Sequence, residues 1–160
     1  MNWTYKGEPI GEISQFPENT YGFVYMTTHK PTGKSYIGKK ILYHTKKVKL
    51  GKKELAQYEG VVGRRPSYKL AVKESDWLTY YGSQTDIKRL LLEGKKDEFE
   101  RTILKVVPNK KLLTYFETKY QFIYQVLEKP DEFFNDNILG KFFTKDFSEI
   151  IFEEFLEDHK

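Results

Sequence analysis

Cysteine is absent from the 160 residues, so neither a disulfide framework nor a zinc–thiolate site can form, and a reducing compartment suits the chain. The three histidines, His29, His44 and His159, are too scattered to make a zinc site. No run of roughly 18 apolar residues occurs, and the N-terminal stretch MNWTYKGEPIGEISQF has no apolar h-region. We therefore expect neither a membrane span nor a signal peptide, and a cytoplasmic protein. Internal repeats and low-complexity tracts are also lacking. What is present suffices for a core: 39% hydrophobic and 16% aromatic residues exclude a disordered chain. The length suits one domain spanning residues 1 to 160.

The net charge of +4 is modest but unevenly spread. Residues 39 to 73 carry eleven Lys or Arg against Glu54 and Glu59, a local net of +9. Residues 128 to 160 carry ten acids against four bases, a local net of −6. So dense a basic stretch fits a polyanion, because each phosphate neutralised releases condensed counterions; a solvated, self-repelling loop is the plainer alternative.

Residues 21 to 28 (YGFVYMTT) and a run beginning at Ser35 flank the turn-forming HKPTGK, and together predict a β-hairpin. The glycines, Pro66 and lysines between residues 39 and 75 predict a long basic excursion with one short helix around ELAQYE. WLTYYG (77 to 82) reads as extended. Ser83 is the expected N-cap of a helix carrying Ile87, Leu90 and Leu91 and ended by Gly94. EFERTILKVV (98 to 107) predicts a third strand. From Asn109, an expected N-cap, Leu112, Leu113, Phe116, Tyr120, Ile123, Tyr124 and Leu127 form one helical stripe that Pro130 closes. Ser148 is the expected cap of a final amphipathic helix with Ile151, Phe152, Phe155 and Leu156, a candidate homodimer contact. The fold class is therefore α/β (α+β): a small three-stranded antiparallel sheet with flanking helices, a core over about 19 to 138, a basic insertion over about 39 to 75, and a C-terminal extension over about 139 to 160.

The paired motif Phe23-Val24-Tyr25, ten intervening residues, then Tyr36-Ile37-Gly38, resembles that of the GIY-YIG nuclease superfamily. Element order and a downstream helical glutamate resemble it too. The lysine-rich stretch and SDWLTYYGS are similar to the phage-encoded, Seg-like homing endonucleases. The resemblance implies a metal-dependent DNA endonuclease using Mg²⁺ or Mn²⁺, in the host cytoplasm if phage-encoded. Alternatives are a catalytically inactive DNA-binding module of the same fold, or a repair, junction-resolving or restriction nuclease.

Physical chemistry gives the residues their expected roles. Hydrolysing a phosphodiester needs an aligned water, a cation near the phosphoryl oxygens and help for the departing alkoxide. Tyr25 and Tyr36 on adjacent strands can hold or deprotonate that water, with Tyr21 as fallback for Tyr25. An unperturbed phenol has a pKa of about 10, so deprotonation requires cationic neighbours; Lys39 and Lys40 directly follow the second tyrosine motif. Glu117 sits at the edge of the apolar stripe, where a carboxylate is costly unless solvated, paired or bound to a cation, and a hard oxygen ligand suits Mg²⁺. The resemblance also implies an asparagine after this helix, Asn135 or Asn137, bonding substrate or orienting the site. The family's catalytic arginine has no arginine counterpart at its usual spacing; Lys39 or Lys40 is expected on the phosphate, and His44 is a candidate general base. Lys46, Lys47, Lys49, Arg64, Arg65 and Lys69 are expected to contact DNA, while Tyr58, Tyr68, Trp77 and Tyr80 add stacking or core area.

Overall fold

A short hairpin precedes every element the sequence predicts. Strands β1 (Trp3–Tyr5) and β2 (Glu8–Ile10) pair antiparallel through Lys6 and Gly7, whose positive φ values of 50° and 84° suit a tight hairpin turn. The structure, a computed structural model, describes residues 2–60, 63 and 66–147. The expected final helix, and with it the proposed dimer contact of Ile151, Phe152, Phe155 and Leu156, lies outside the described residues, as do Arg64 and Arg65.

The tyrosine-bearing hairpin forms as expected from β3 (Gly22–His29) and β4 (Lys34–Ile41). After β5 (Tyr43–Lys49), the short helix α1 (Lys52–Ala56), β6 (Tyr68–Glu74) and helix α2 (Thr85–Leu92), strand β7 (Phe99–Val107) pairs with β3. The central sheet has the order β2-β1-β7-β3-β4, five strands rather than the three expected, and β1 runs parallel to β7. The N-terminal pair escaped prediction because three-residue strands carry almost no periodicity. A second correction concerns residues 43 to 74: β5 and β6 form a separate two-stranded antiparallel ribbon, not an irregular excursion. Its many lysines mask a strand pattern that needs no buried face.

Helix α3 (Lys110–Ile123) is capped by Asn109 as expected, the side chain accepting a 2.9 Å bond from Leu112 N–H. It packs on one face of the sheet with Val24, Ile37, Val107 and Leu113, joined by Val126, Leu127, Phe133 and Ile138. The opposite face buries Trp3, Phe16, Phe23, Tyr25, Trp77 and Ile103. Strand β3 is therefore covered on both sides, which explains its continuous rather than alternating hydrophobicity. The WLTYYG segment opens with a 3₁₀ turn, Trp77–Thr79, instead of a strand. The cap of α2 is Gln84, accepting from Asp86 and Ile87 N–H, rather than Ser83. Strands β8 (Asn137–Ile138) and β9 (Phe142–Phe143) form a small closing hairpin. Among the described residues no helix is long and apolar enough to cross a membrane.

Candidate active site

Register brings the two tyrosines onto one face of the sheet. Tyr25 lies opposite Gly38, and Tyr36 opposite Thr27, so the phenols are diagonal neighbours with ring centroids 6.2 Å apart. Gly38 makes this possible: a Cβ there would stand 2.6 Å from Tyr25 Oη and 2.8 Å from Tyr36 Cε1. A register shift in the β3–β7 ladder falls between Val24 and Tyr25, where Leu104 is left unmatched. Such bulges re-aim side chains. Here the shift adjoins the deeper tyrosine, which is only 1% exposed and ringed by Trp3, Phe23 and Tyr80. Tyr21, the fallback, packs instead with the core beneath α3.

Tyr36, Lys39, Glu117 and Asn135 line one cavity of about 470 Å³, completed in part by Ser83 and Asp136. Side chains alternate along β4, so Tyr36 and Lys39 leave opposite faces of this edge strand, and the cavity straddles the edge. Glu117 is mostly buried; Lys39 Nζ lies 3.7 Å from its Oε1 and donates a 3.0 Å bond to Thr114 Oγ1. Burial raises the Glu117 pKa, opposed by Lys39. Burial also pushes the Tyr36 phenol up to about 12, against a lowering hydrogen bond with Ser83, and Glu117 pushes the same way as burial. Tyr25 is raised well above the usual phenol value, by burial first and then by the Tyr80 and Tyr36 phenols. Both tyrosines are thus protonated donors at neutral pH. Burial, and not the cationic activation expected from Lys39 and Lys40, sets the direction of both shifts.

Asn135 orients the site from beneath. It is 5% exposed, its Oδ1 accepts from Ile37 N–H at 3.0 Å, and its Nδ2 donates to Ile37 C=O at 2.9 Å. Gln121 Nε2 donates to the same carbonyl at 3.0 Å. The backbone between Tyr36 and Gly38 is therefore held by side chains from two other segments, and both the oxygen and the nitrogen of the Asn135 amide bond to it. Asn137 also borders the cavity, but its side chain serves its own turn, donating to Asp136 and accepting from Gly140 N–H.

Other expected residues fall outside this cavity. Lys40 Nζ bonds Asp76 Oδ1 at 2.5 Å and lies 4.1 Å above the Tyr80 ring, which separates it from Lys39 across the strand. His44 sits on the ribbon opposite Lys73, exposed and away from the lining residues. Lys46, Lys47 and Lys49 are exposed along β5, and Lys69 on β6 pairs with Glu54 at 2.6 Å. Trp77 belongs to the core, while Tyr68 is 58% exposed.

One residue went unnoticed in the sequence. Arg101 on β7 is 5% exposed, donates from Nη1 to the carbonyls of Leu78 and Tyr80 at 2.9 and 2.8 Å, and stacks on Trp3 and Tyr81. Burial lowers its pKa. It fastens the turn bearing Tyr80 to the sheet, and Tyr80 packs edge-on against Tyr25. The available signal was parity: Arg101 shares the inward phase of Phe99 and Ile103 in the regular first half of the strand.

The donor set admits a hard divalent cation. Glu117 offers a partly desolvated carboxylate to a cavity that also bears Asp136. Among the described residues no group of three or more His, Cys, Asp or Glu is placed to hold a metal ion; a Mg²⁺-like ion needs only one or two carboxylates, with water and substrate phosphate filling its shell. No curated protein and no solved structure matches the chain. Residues 3–138 match the family model described as "Putative endonuclease segE, GIY-YIG domain", and the chain, with its two tyrosines paired across Gly38 and Glu117 on the helix behind them, belongs to that GIY-YIG family.

Proposed function

We propose that the chain is a Mg²⁺- or Mn²⁺-dependent DNA endonuclease that hydrolyses a phosphodiester bond in the cavity bounded by Tyr36, Lys39 and Glu117. The observation that carries this reading is the meeting of a phenol, an ammonium and a desolvated carboxylate at one cavity on the sheet edge. Glu117, with Asp136 beside the same space, would hold the cation, which when bound supplies Lewis-acid stabilisation of charge on the phosphoryl oxygens. Lys39 attracts the scissile phosphate as a point charge, lacking the planar fork of an arginine. Tyr36, protonated through neutrality, donates a hydrogen bond to a phosphate oxygen as charge builds there. Tyr25 supports Tyr36 from the core, and Asn135 fixes the strand that carries it. We read residues 1 to 160 as one domain acting in the cytoplasm, with a homing-type phage role and a homodimer contact through residues 147 to 160 as further parts of the proposal.

A supercoiled plasmid tests it. Nicking should occur in Mg²⁺ and stop in EDTA, and Glu117→Ala and Tyr36→Phe should each slow it by about 10²-fold or more while leaving DNA binding in place. Cleavage by Glu117→Ala at the parent rate would overturn the mechanism. A second reading, an inactive DNA-binding module, has one observation in its favour: the residues lining the cavity include no arginine, and Lys39 already neutralises Glu117. Tight DNA binding without nicking in either metal would select it.

A further inference from the structure

The ribbon of β5 and β6 has two unlike faces. Its register sets Thr45, Lys47 and Lys49 opposite Val72, Leu70 and Tyr68, and these six share one face. On the other face Val48 and Ala71 are half-buried, and Lys69 ties α1 there through Glu54. The first face has no cover among the described residues: Leu70 is 67%, Val72 64% and Tyr68 58% exposed. A row of three bare apolar side chains on a two-stranded ribbon asks for a partner.

Charge selects the partner. The ribbon strands carry Lys46, Lys47, Lys49, Lys69 and Lys73 against Glu74 alone. Two copies pressed face to face would bring this excess of one sign together, whereas a polyanion neutralises it. Dimensions then choose among polyanion surfaces. Strands about 4.8 Å apart, with their side chains, fill roughly 10 Å; the major groove of B-DNA, about 12 Å wide, admits such a ribbon, and the minor groove, about 6 Å wide, does not. Lysines sit in the β5 column and apolar groups in the β6 column, so one column can meet phosphates while the other meets base edges, including thymine methyls.

Position completes the argument. Both strands join the rest of the fold at one end of the ribbon, where Tyr43 pairs with Glu74, and there the chain meets the candidate site: β5 follows β4, and β6 leads through the Trp77–Thr79 turn to Ser83. Lys49, level with Tyr68, is ten residues beyond Lys39, at most about 34 Å of extended chain, or about ten base pairs at 3.4 Å each. The geometry points to the Tyr68–Leu70–Val72 face of the ribbon as the element that seats in the DNA major groove within about ten base pairs of the cut, with Lys47 and Lys49 on the flanking phosphates. The placement rests on the nuclease reading for its DNA substrate, and it adds the groove and the residues.

Binding of the full chain to a duplex of about 30 base pairs, followed by fluorescence anisotropy without divalent metal at several salt concentrations, separates this inference from the chemistry. The double substitution Lys47→Gln/Lys49→Gln should reduce the slope of log affinity against log salt by about 2. Leu70→Ser/Val72→Ser should keep the slope, weaken binding about tenfold and abolish protection of guanine N7 from methylation. In Mg²⁺ both variants should raise KM with kcat unchanged. All four positions are exposed, so circular dichroism should match the parent. An unaltered salt slope, or protection of adenine N3 in the minor groove in place of guanine N7, overturns the placement. So does a Leu70→Ser/Val72→Ser variant that binds DNA normally but sediments at half the parent mass, which would give the face to a second copy. Absence of cleavage alongside ribbon-dependent binding sinks the nuclease reading alone and leaves the groove contact standing.

Discussion

Gly38→Ala is the sharpest perturbation of the tyrosine pair. The added methyl would stand 2.6 Å from Tyr25 Oη, 2.8 Å from Tyr25 Cζ and 2.8 Å from Tyr36 Cε1, where carbon contacts settle at about 3.5 Å or more. A ring or the strand must therefore move by about 1 Å. Neither is free to do so: Tyr25 is locked by Trp3, Phe23 and Tyr80, and the strand by Asn135 and Gln121. Overpacking of this kind costs about 1–3 kcal/mol, which for a chain this long lowers Tm by roughly 2–12 °C. A 1 Å displacement of reacting groups costs about 10²-fold in rate, so single-turnover DNA cleavage should fall by about that factor. Gly33→Ala is the control. Its φ of 73° strains any side chain, but its Cβ meets nothing within 4 Å, so stability should drop and cleavage should not. Tyr25→Phe removes the nearest clashing atom, so a double-mutant cycle should show about 0.5–1 kcal/mol of relief. A Gly38→Ala protein that melts and cleaves like the parent, or a cycle with no coupling, refutes the reasoning.

Asn135→Ala strips both bonds from Ile37 and should cost about 1–3 kcal/mol in urea unfolding, with a fall in kcat larger than any change in KM. Arg101→Lys keeps a cation but loses the planar guanidinium that stacks on Trp3 and Tyr81 while its Nη1 donates to the Leu78 and Tyr80 carbonyls; we expect about 2–4 kcal/mol of destabilisation, read by thermal melting, and a parent-like melt would remove its clamping role. The Tyr36 pKa of about 12 lies above the unfolded value of about 10, so its contribution to stability is complete below pH about 10 and is lost as pH rises toward 12. Alkaline unfolding should therefore be less steep in Tyr36→Phe, and tyrosinate absorbance of the folded parent should show Tyr36 titrating late.

Much of this architecture was legible because single residues carried it. The Pro31–Gly33 turn and the β-branched runs beside it gave the hairpin, and Asn109 with its helical stripe gave α3 and the phase of Glu117. The N-terminal hairpin was hidden by its length: Trp3 and Ile10 are core residues, but three-residue strands show no period. The ribbon was hidden by its solvation, since neither face of β5 is buried enough to impose alternation on the sequence. At the site, proximity of Tyr36, Lys39 and Glu117 followed from element order, whereas the direction of the tyrosine pKa shifts did not. Burial depends on Trp3, Phe23 and Tyr80, contributed by three separate segments that no local pattern unites.

Strand β4 ends the five-stranded sheet, and such a border is an open template for another chain's backbone. Here residues 132 to 135 occupy it. Glu132 C=O accepts from Ser35 N–H, Phe134 N–H donates to Ser35 C=O, and Asn135 takes both polar groups of Ile37. The asparagine amide stands in for the next strand without continuing the sheet, so the amides behind Tyr36 are closed to intermolecular pairing. The same side chain that holds the tyrosine still also guards the molecule against edge-to-edge aggregation, and its loss should be felt first in solubility at high protein concentration.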